Sequence, residues 1–202
     1  MPGWVWVLIA IAVVVVLGVV VWQALARRRT ERLRDRFGPE YDRTIGTAEN
    51  RREAESDLAA REERRDRLEI RPLSQAARDR YVQSWQAVQA QFVDDPSVAV
   101  ASADSLIQSV MAERGYPVED FEQRAADVSV DHPQVVENYR DGHRLAEESA
   151  NGDGSTESLR QAMRHYRALF EELVEADADQ PLQREQSEDV PVSRDSAERQ
   201  VR

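Results

Sequence analysis

The sequence predicts an all-α protein with an N-terminal transmembrane helix, a charged juxtamembrane helix, a small helical bundle and a disordered acidic tail. Three observations carry this prediction: an uncharged apolar run near the N-terminus, two apolar stripes at helical spacing, and no alternating β-branched segment outside the run. The stripes are Tyr81, Trp85, Val88 and Phe92, and Leu159, Met163, Tyr166, Phe170 and Leu173. Because residues three or four positions apart share one face of a helix, both stripes are expected to face a core.

The apolar run from Trp4 to Trp22 contains no charged residue and predicts a membrane-spanning helix at 4–26. A helix rises about 1.5 Å per residue, so the run covers roughly 28 Å, close to the ~30 Å hydrocarbon core of a bilayer. Tryptophan stands at both ends of the run, and indole rings favour the headgroup level. The predicted partner is therefore the lipid bilayer, and the predicted anchor residues are Trp4, Trp6, Trp22, Arg27, Arg28 and Arg29.

The arginines that flank this run predict its orientation. They begin at Arg27, and no Arg or Lys precedes the run. Because cationic flanks stay in the cytoplasm, we expect the N-terminus outside and the C-terminal domain inside at the plasma membrane. The alternative is a secretory signal, since Ala24-Leu25-Ala26 matches the small-residue cleavage pattern. The long run and its non-basic start favour an anchor, but an extracytoplasmic domain, anchored or released at Ala26, stays open.

Composition divides the rest of the chain into four parts. Residues 27–39 form a basic juxtamembrane segment with a hinge at Gly38-Pro39, because proline suits the first turn of a new helix and disfavours helix just before it. Residues 40–70 are rich in Arg, Glu, Asp and Ala, which favours a charged helix that spaces the domain from the bilayer or lies along it. A bundle domain is expected at 74–175, and a disordered tail at 176–202, where periodicity ends.

The ends of the bundle helices are marked by capping residues. Ser74 and Asp95 stand where an N-cap is expected, and Asp95 is followed by a proline suited to the first helical position. Gly115 ends the second helix, because glycine takes the left-handed conformation most easily. After a glycine-rich loop, Ser155 or Thr156 is expected to cap the last helix.

Charge and cysteine content exclude several classes of function. The formal net charge is -11, and it is unevenly spread: 16 Arg against 13 acidic residues at 27–80, but 11 against 25 at 81–202. The acidic distal part would repel nucleic acid, so no nucleic-acid partner is predicted. It would attract a basic protein partner, or it serves solubility alone. The chain has no cysteine, so disulfides and thiolate catalysis are excluded.

No residue pattern predicts catalysis, a cofactor or a metal site. The three histidines, His132, His143 and His165, form no i, i+4 pair and belong to no zinc motif. No phosphate-binding loop, nucleophile elbow or dinucleotide fingerprint occurs, so we expect a protein that is not an enzyme. The aromatic stripe around Trp85 is expected to be buried in the bundle and not to form a recognition groove, because the domain has few other large residues for a core.

Four short segments carry a family resemblance. They are Arg36-Phe37-Gly38-Pro39-Glu40-Tyr41-Asp42-Arg43-Thr44, Arg114-Gly115-Tyr116-Pro117, Asp120-Phe121-Glu122 and Ser129-Val130-Asp131-His132-Pro133. Together they resemble a family of short actinobacterial-type membrane or "secreted" proteins of unknown function. The resemblance extends from the anchor to about residue 174, and it implies one N-terminal hydrophobic helix followed by a helical soluble region. It implies no catalytic residues, and its label "secreted" conflicts with the orientation expected from the arginines.

Overall fold

The fold is all-α, as the sequence predicts. A computed structural model describes residues 3–151 and 154–175, apart from the side chains of residues 3 and 5–12. Within these ranges there are eight helices and no strand: α1 (Gly3–Phe37), α2 (Pro39–Thr47), α3 (Arg51–Asp66), α4 (Gln75–Gln91), α5 (Pro96–Arg114), α6 (Phe121–Asp131), α7 (Val136–Ala150) and α8 (Thr156–Glu175).

The N-terminal helix α1 runs without a break through the apolar run and the basic segment after it. Among the residues that the structure describes, no helix presents an apolar stretch long enough to cross a bilayer. The predicted span at 4–26 falls partly outside those residues, because the side chains of 5–12 are not among them. The predicted disordered tail at 176–202 lies wholly outside them.

The main core is a bundle of α4, α5, α7 and α8, in which α5 packs against the other three and α7 packs against α8. Both predicted stripes contribute to it, which confirms the helical bundle. Trp85 is 5% exposed, and its ring stacks on Phe170 with centroids 4.7 Å apart. The stripe around Trp85 therefore belongs to the core and forms no open groove.

The predicted caps hold the bundle helices in place. The Ser74 hydroxyl accepts a hydrogen bond from the Ala77 N–H at 3.2 Å, and the Asp95 carboxylate accepts one from the Val98 N–H at 3.1 Å. Each bond satisfies one of the N–H groups that the first helical turn leaves without a partner. Gly115 ends α5 with a φ of 101°, in the left-handed region.

A second, smaller core joins α1, α2, α3 and α6. Its buried members are Leu33, Phe37, Tyr41, Leu58 and Val130. Phe37 and Leu58 are 0% exposed, so the C-terminal end of α1 is packed into the folded domain. The second core thus connects the helix that carries the predicted span to the rest of the molecule.

The prediction of one charged helix at 40–70 is wrong. The segment forms two helices, because the chain leaves α2 at Ala48 in an extended conformation and Asn50 caps α3 by accepting a hydrogen bond from the Glu53 N–H at 3.0 Å. The segment is also no isolated spacer. The small side chain of Ala54 and the side chain of Leu58 are buried, and α3 packs against α1, α2 and α6.

The predicted hinge at Gly38-Pro39 is a packed corner. The chain does turn there, with Gly38 at a φ of 46° that favours glycine. Phe37 before the turn and Glu40 and Tyr41 after it are at most 3% exposed. A change of direction at this corner would expose these side chains to water, so packing fixes the angle between α1 and α2.

Candidate membrane-proximal site

The most unusual surface of the described structure is the apolar side of α1. The exposed side chains include Val14 at 67%, Leu25 at 60% and Trp22 at 63%. Valine and leucine occupy nearly every position between residues 13 and 21, and all of them are exposed. Monomeric soluble proteins rarely expose continuous apolar patches larger than a few hundred Å², so this surface is typical of an interaction with a membrane or a partner protein.

The predicted anchor residues lie along this same helix. Trp4 and Trp22 are both 63% exposed, and Arg27, Arg28 and Arg29 are exposed and form no ion pair with any described residue. Trp6 lies outside the residues whose side chains are described. The structure thus leaves the three arginines free to contact an external anion.

A buried carboxylate connects the corner after α1 to the bundle. The Glu40 side chain is 1% exposed and accepts hydrogen bonds from Arg61 at 2.9 Å and from both terminal nitrogens of Arg140 at 2.7 and 2.8 Å. Arg61 lies on α3 and Arg140 on α7, so one carboxylate on α2 joins three helices. Charged hydrogen bonds of this kind are about twice as strong as neutral ones.

A second acidic centre joins α3 to α6. Asp131 accepts hydrogen bonds from the Arg65 Nε at 2.7 and 2.8 Å and from the Tyr116 hydroxyl at 2.8 Å, and Arg36 of α1 lies 3.7 Å away. Burial, together with the neighbouring Asp131 carboxylate, raises the pKa of Tyr116, so this hydroxyl keeps its proton and remains a donor. Ion pairs therefore connect α1, α3 and α6 beside the second core.

Closer to the apolar surface, Glu55 joins α1, α2 and α3. Its Oε1 accepts hydrogen bonds from Thr30 at 2.8 Å, Tyr41 at 2.9 Å and Arg51 at 2.9 Å. Partial burial raises the pKa of Glu55, but the three hydrogen bonds and the Arg51 charge outweigh it and lower the pKa below its usual value. Glu55 therefore stays ionised near neutral pH and holds α3 against α1.

The sequence did not predict these ion pairs and hydrogen bonds between helices, because the residues that form them are far apart in the chain. Glu40 and Arg140 are separated by 100 residues, and no local pattern pairs them. One signal was present: Leu33, Phe37 and Tyr41 follow each other at intervals of four residues across the glycine corner. This helical spacing indicates a buried face that continues from α1 into α2.

The three histidines lie in separate surroundings. The His132 Nδ1 lies 3.0 Å from a Glu172 oxygen, the His143 ring stacks on Phe121, and the His165 Nδ1 lies 2.9 Å from the Asn138 oxygen. Among the described residues, no cluster of three or more His, Asp and Glu side chains is arranged to hold a metal ion. The acidic residues near α1 serve as partners for arginine.

Comparison of the chain with protein-family models, with curated proteins and with solved structures found no match. The resemblance to a family of short membrane or "secreted" proteins stays a prediction from the sequence.

Proposed function

We propose that the chain is a single-pass membrane protein that acts as a tether or adaptor, holding a partner protein at the plasma membrane through its helical domain. In this proposal α1 spans the bilayer, the N-terminus lies outside, and the bundle lies in the cytoplasm. The observation that carries the proposal is the apolar surface of α1, which extends over residues 13–25 with exposed Val, Leu and Trp side chains. In the sequence, this uncharged stretch begins as early as Trp4.

The energetics of this surface favour lipid over water. Transfer of a large aliphatic side chain from water to an apolar environment contributes about 1.5 to 3 kcal/mol. Several such side chains, among them Val14, Val16 and Leu17, are more than half exposed on α1. Scaled by their exposure, these side chains together contribute roughly 10 kcal/mol or more, which is comparable with the free energy that typically holds a small domain folded, about 5 to 15 kcal/mol. A bilayer supplies the apolar surroundings that the bundle does not.

The packing of α1 also supports a defined role for the domain at the membrane. Leu33 is 2% exposed and Phe37 is 0% exposed, and Thr30 donates a hydrogen bond to Glu55 on α3. These contacts hold the end of α1 against α2, α3 and α6, which in turn pack against the bundle. A bilayer that holds α1 would therefore also set the orientation of the bundle and of the surface that it offers to a partner.

We further propose that the domain works by protein interaction and not by catalysis. The sequence contains none of the motifs that position a nucleophile, a phosphate or a nicotinamide cofactor. The acidic excess beyond residue 80 supports a partner with a basic surface, because opposite charges speed encounter and suppress wrong partners.

The orientation can be tested with single cysteines, because the chain has none of its own. Ser105 is exposed on α5, so Ser105→Cys places a thiol on the bundle surface. Intact cells are treated with a membrane-impermeant maleimide, with Pro2→Cys as the matched control on the other side of the predicted span. We expect labelling of the Pro2 variant in intact cells and of the Ser105 variant only after lysis. Labelling of Ser105→Cys in intact cells would instead support the extracytoplasmic alternative.

A further inference from the structure

An open groove of about 860 Å³ lies where the start of α3 approaches α1. One end is apolar and is formed by Trp22 and Leu25, the last exposed large apolar residues of α1. The other end is basic, with Arg27 and Arg29 from α1 and with Arg52 from α3. The sequence predicts the first two arginines beside a membrane, but only the fold brings the third to the same place.

The groove carries an excess of positive charge. Five arginines and two glutamates, Glu31 and Glu55, line it. Glu55 already accepts three hydrogen bonds from its neighbours in the fold, whereas Arg27, Arg29 and Arg52 form no ion pair with any described residue. These three guanidinium groups are therefore available to an anion, and guanidinium matches the oxygens of a phosphate with paired hydrogen bonds.

The height of the groove on α1 fits the phosphate layer of a bilayer. Arg27 and Arg29 follow Trp22 by five and seven residues, which places them roughly 8 to 10 Å further along the helix axis. The headgroup region extends about 5 to 7 Å beyond the hydrocarbon core on each side. If Trp22 marks the edge of that core, the guanidinium groups of these flexible side chains reach the lipid phosphates.

We propose that this groove binds the phosphate of an anionic phospholipid, with Arg29 and Arg52 contacting the phosphate and with Trp22 and Leu25 contacting the upper acyl chain. The inference rests on the proposed membrane anchoring and adds a specific lipid to it. A lipid is favoured over a soluble phosphate compound because the basic end continues directly into an apolar end on the same helix. A soluble anion would use only the basic end.

The test compares full-length chains reconstituted in phosphatidylcholine bilayers that contain phosphatidylglycerol. Bound lipid is counted by native mass spectrometry after gentle release into detergent. Arg29→Gln and Arg52→Gln remove groove cations, while Arg28→Gln is the matched control, because Arg28 lies at the same depth and does not line the groove. Arg164→Gln, on the exposed surface of α8, controls for net charge. Circular dichroism shows that each variant is folded.

We expect Arg29→Gln and Arg52→Gln to retain phosphatidylglycerol about tenfold more weakly than the two controls, as for one lost charged hydrogen bond. If Arg28→Gln loses phosphatidylglycerol to the same extent, the effect comes from net positive charge alone, and specific binding in the groove is overturned. Equal competition by soluble glycerol phosphate would overturn the lipid as ligand. A chain that binds no phosphatidylglycerol but resists alkaline extraction would overturn this inference alone, whereas release by alkali would overturn the anchoring itself.

Discussion

Replacement of Glu40 by alanine tests whether the corner after α1 is held by buried ion pairs. The wild-type carboxylate is 1% exposed, and its two main partners, Arg61 and Arg140, are 14% and 11% exposed. Removing one member of a buried charge cluster leaves the others without compensation and typically costs about 3 to 5 kcal/mol. We expect Glu40→Ala to lower the free energy of unfolding by that amount. A matched control is Asp42→Asn, whose carboxylate is 69% exposed and 3.7 Å from Arg34.

The control should change stability by less than about 1 kcal/mol, because exposed ion pairs contribute little. The assay is urea unfolding of the full chain in a mild detergent, followed by circular dichroism, with the stability read from the midpoint and slope. Arg140→Ala alone and combined with Glu40→Ala completes a double-mutant cycle, which should show coupling of at least about 1 kcal/mol. A loss below about 1 kcal/mol for Glu40→Ala, or additive effects in the cycle, would refute the role given to this carboxylate.

Four further predictions concern the corner and the bundle. Gly115→Ala should destabilise the fold by about 1 to 2 kcal/mol, because φ is positive and a Cβ would lie 2.5 Å from the Glu69 carbonyl oxygen; urea unfolding measures it. Phe37→Ala should cost about 3 to 5 kcal/mol by the same assay, since this ring is fully buried. Acid should weaken the contact that Glu55 makes between α3 and α1. The pKa of Glu55 is lower in the folded state than in the unfolded state, where it is near 4.5, so the ionised carboxylate stabilises the fold. This stabilisation is fully present above the unfolded-state pKa and is lost as the pH falls towards the folded-state pKa. Glu55→Gln should remove this part of the acid sensitivity, and an unchanged pH profile would contradict it. In a variant that keeps Trp85 as its one tryptophan, acrylamide should quench fluorescence weakly, because Trp85 is 5% exposed; strong quenching would contradict its place in the core.

The bundle was predictable because the sequence patterns that specify its helices lie within single segments of the chain. The stripes around Trp85 and Tyr166 repeat at helical spacing within single segments, and Ser74 and Asp95 cap helices through residues three positions away. Periodicity and capping act over a few residues, so they can be recognised without knowledge of the fold. The burial of Trp85 followed from the small number of large residues available for a core.

The ion pairs that connect the corner after α1 to the bundle were not predictable in the same way. The many Arg and Glu residues at 40–70 predict a helix with solvent-exposed charged side chains. The fold instead buries Glu40 against guanidinium groups from two other helices. Such pairings depend on how the helices meet and leave no local pattern. The separation of the segment into two helices was missed for a related reason, because the immediate neighbours of the Asn50 cap, Ala48, Glu49, Arg51 and Arg52, favour helix.

Extraction of the full-length chain from membranes tests the central claim most directly. Membranes of expressing cells are washed with alkaline carbonate and floated on a density gradient, beside a Val13→Arg variant that places a charge near the centre of the uncharged run. A charge at that depth costs about 2.5 to 3.5 kcal/mol of insertion free energy. We expect the unaltered chain to stay with the floating membranes after the wash and the variant to be partly released. Complete release of the unaltered chain into the alkaline supernatant would contradict anchoring by α1.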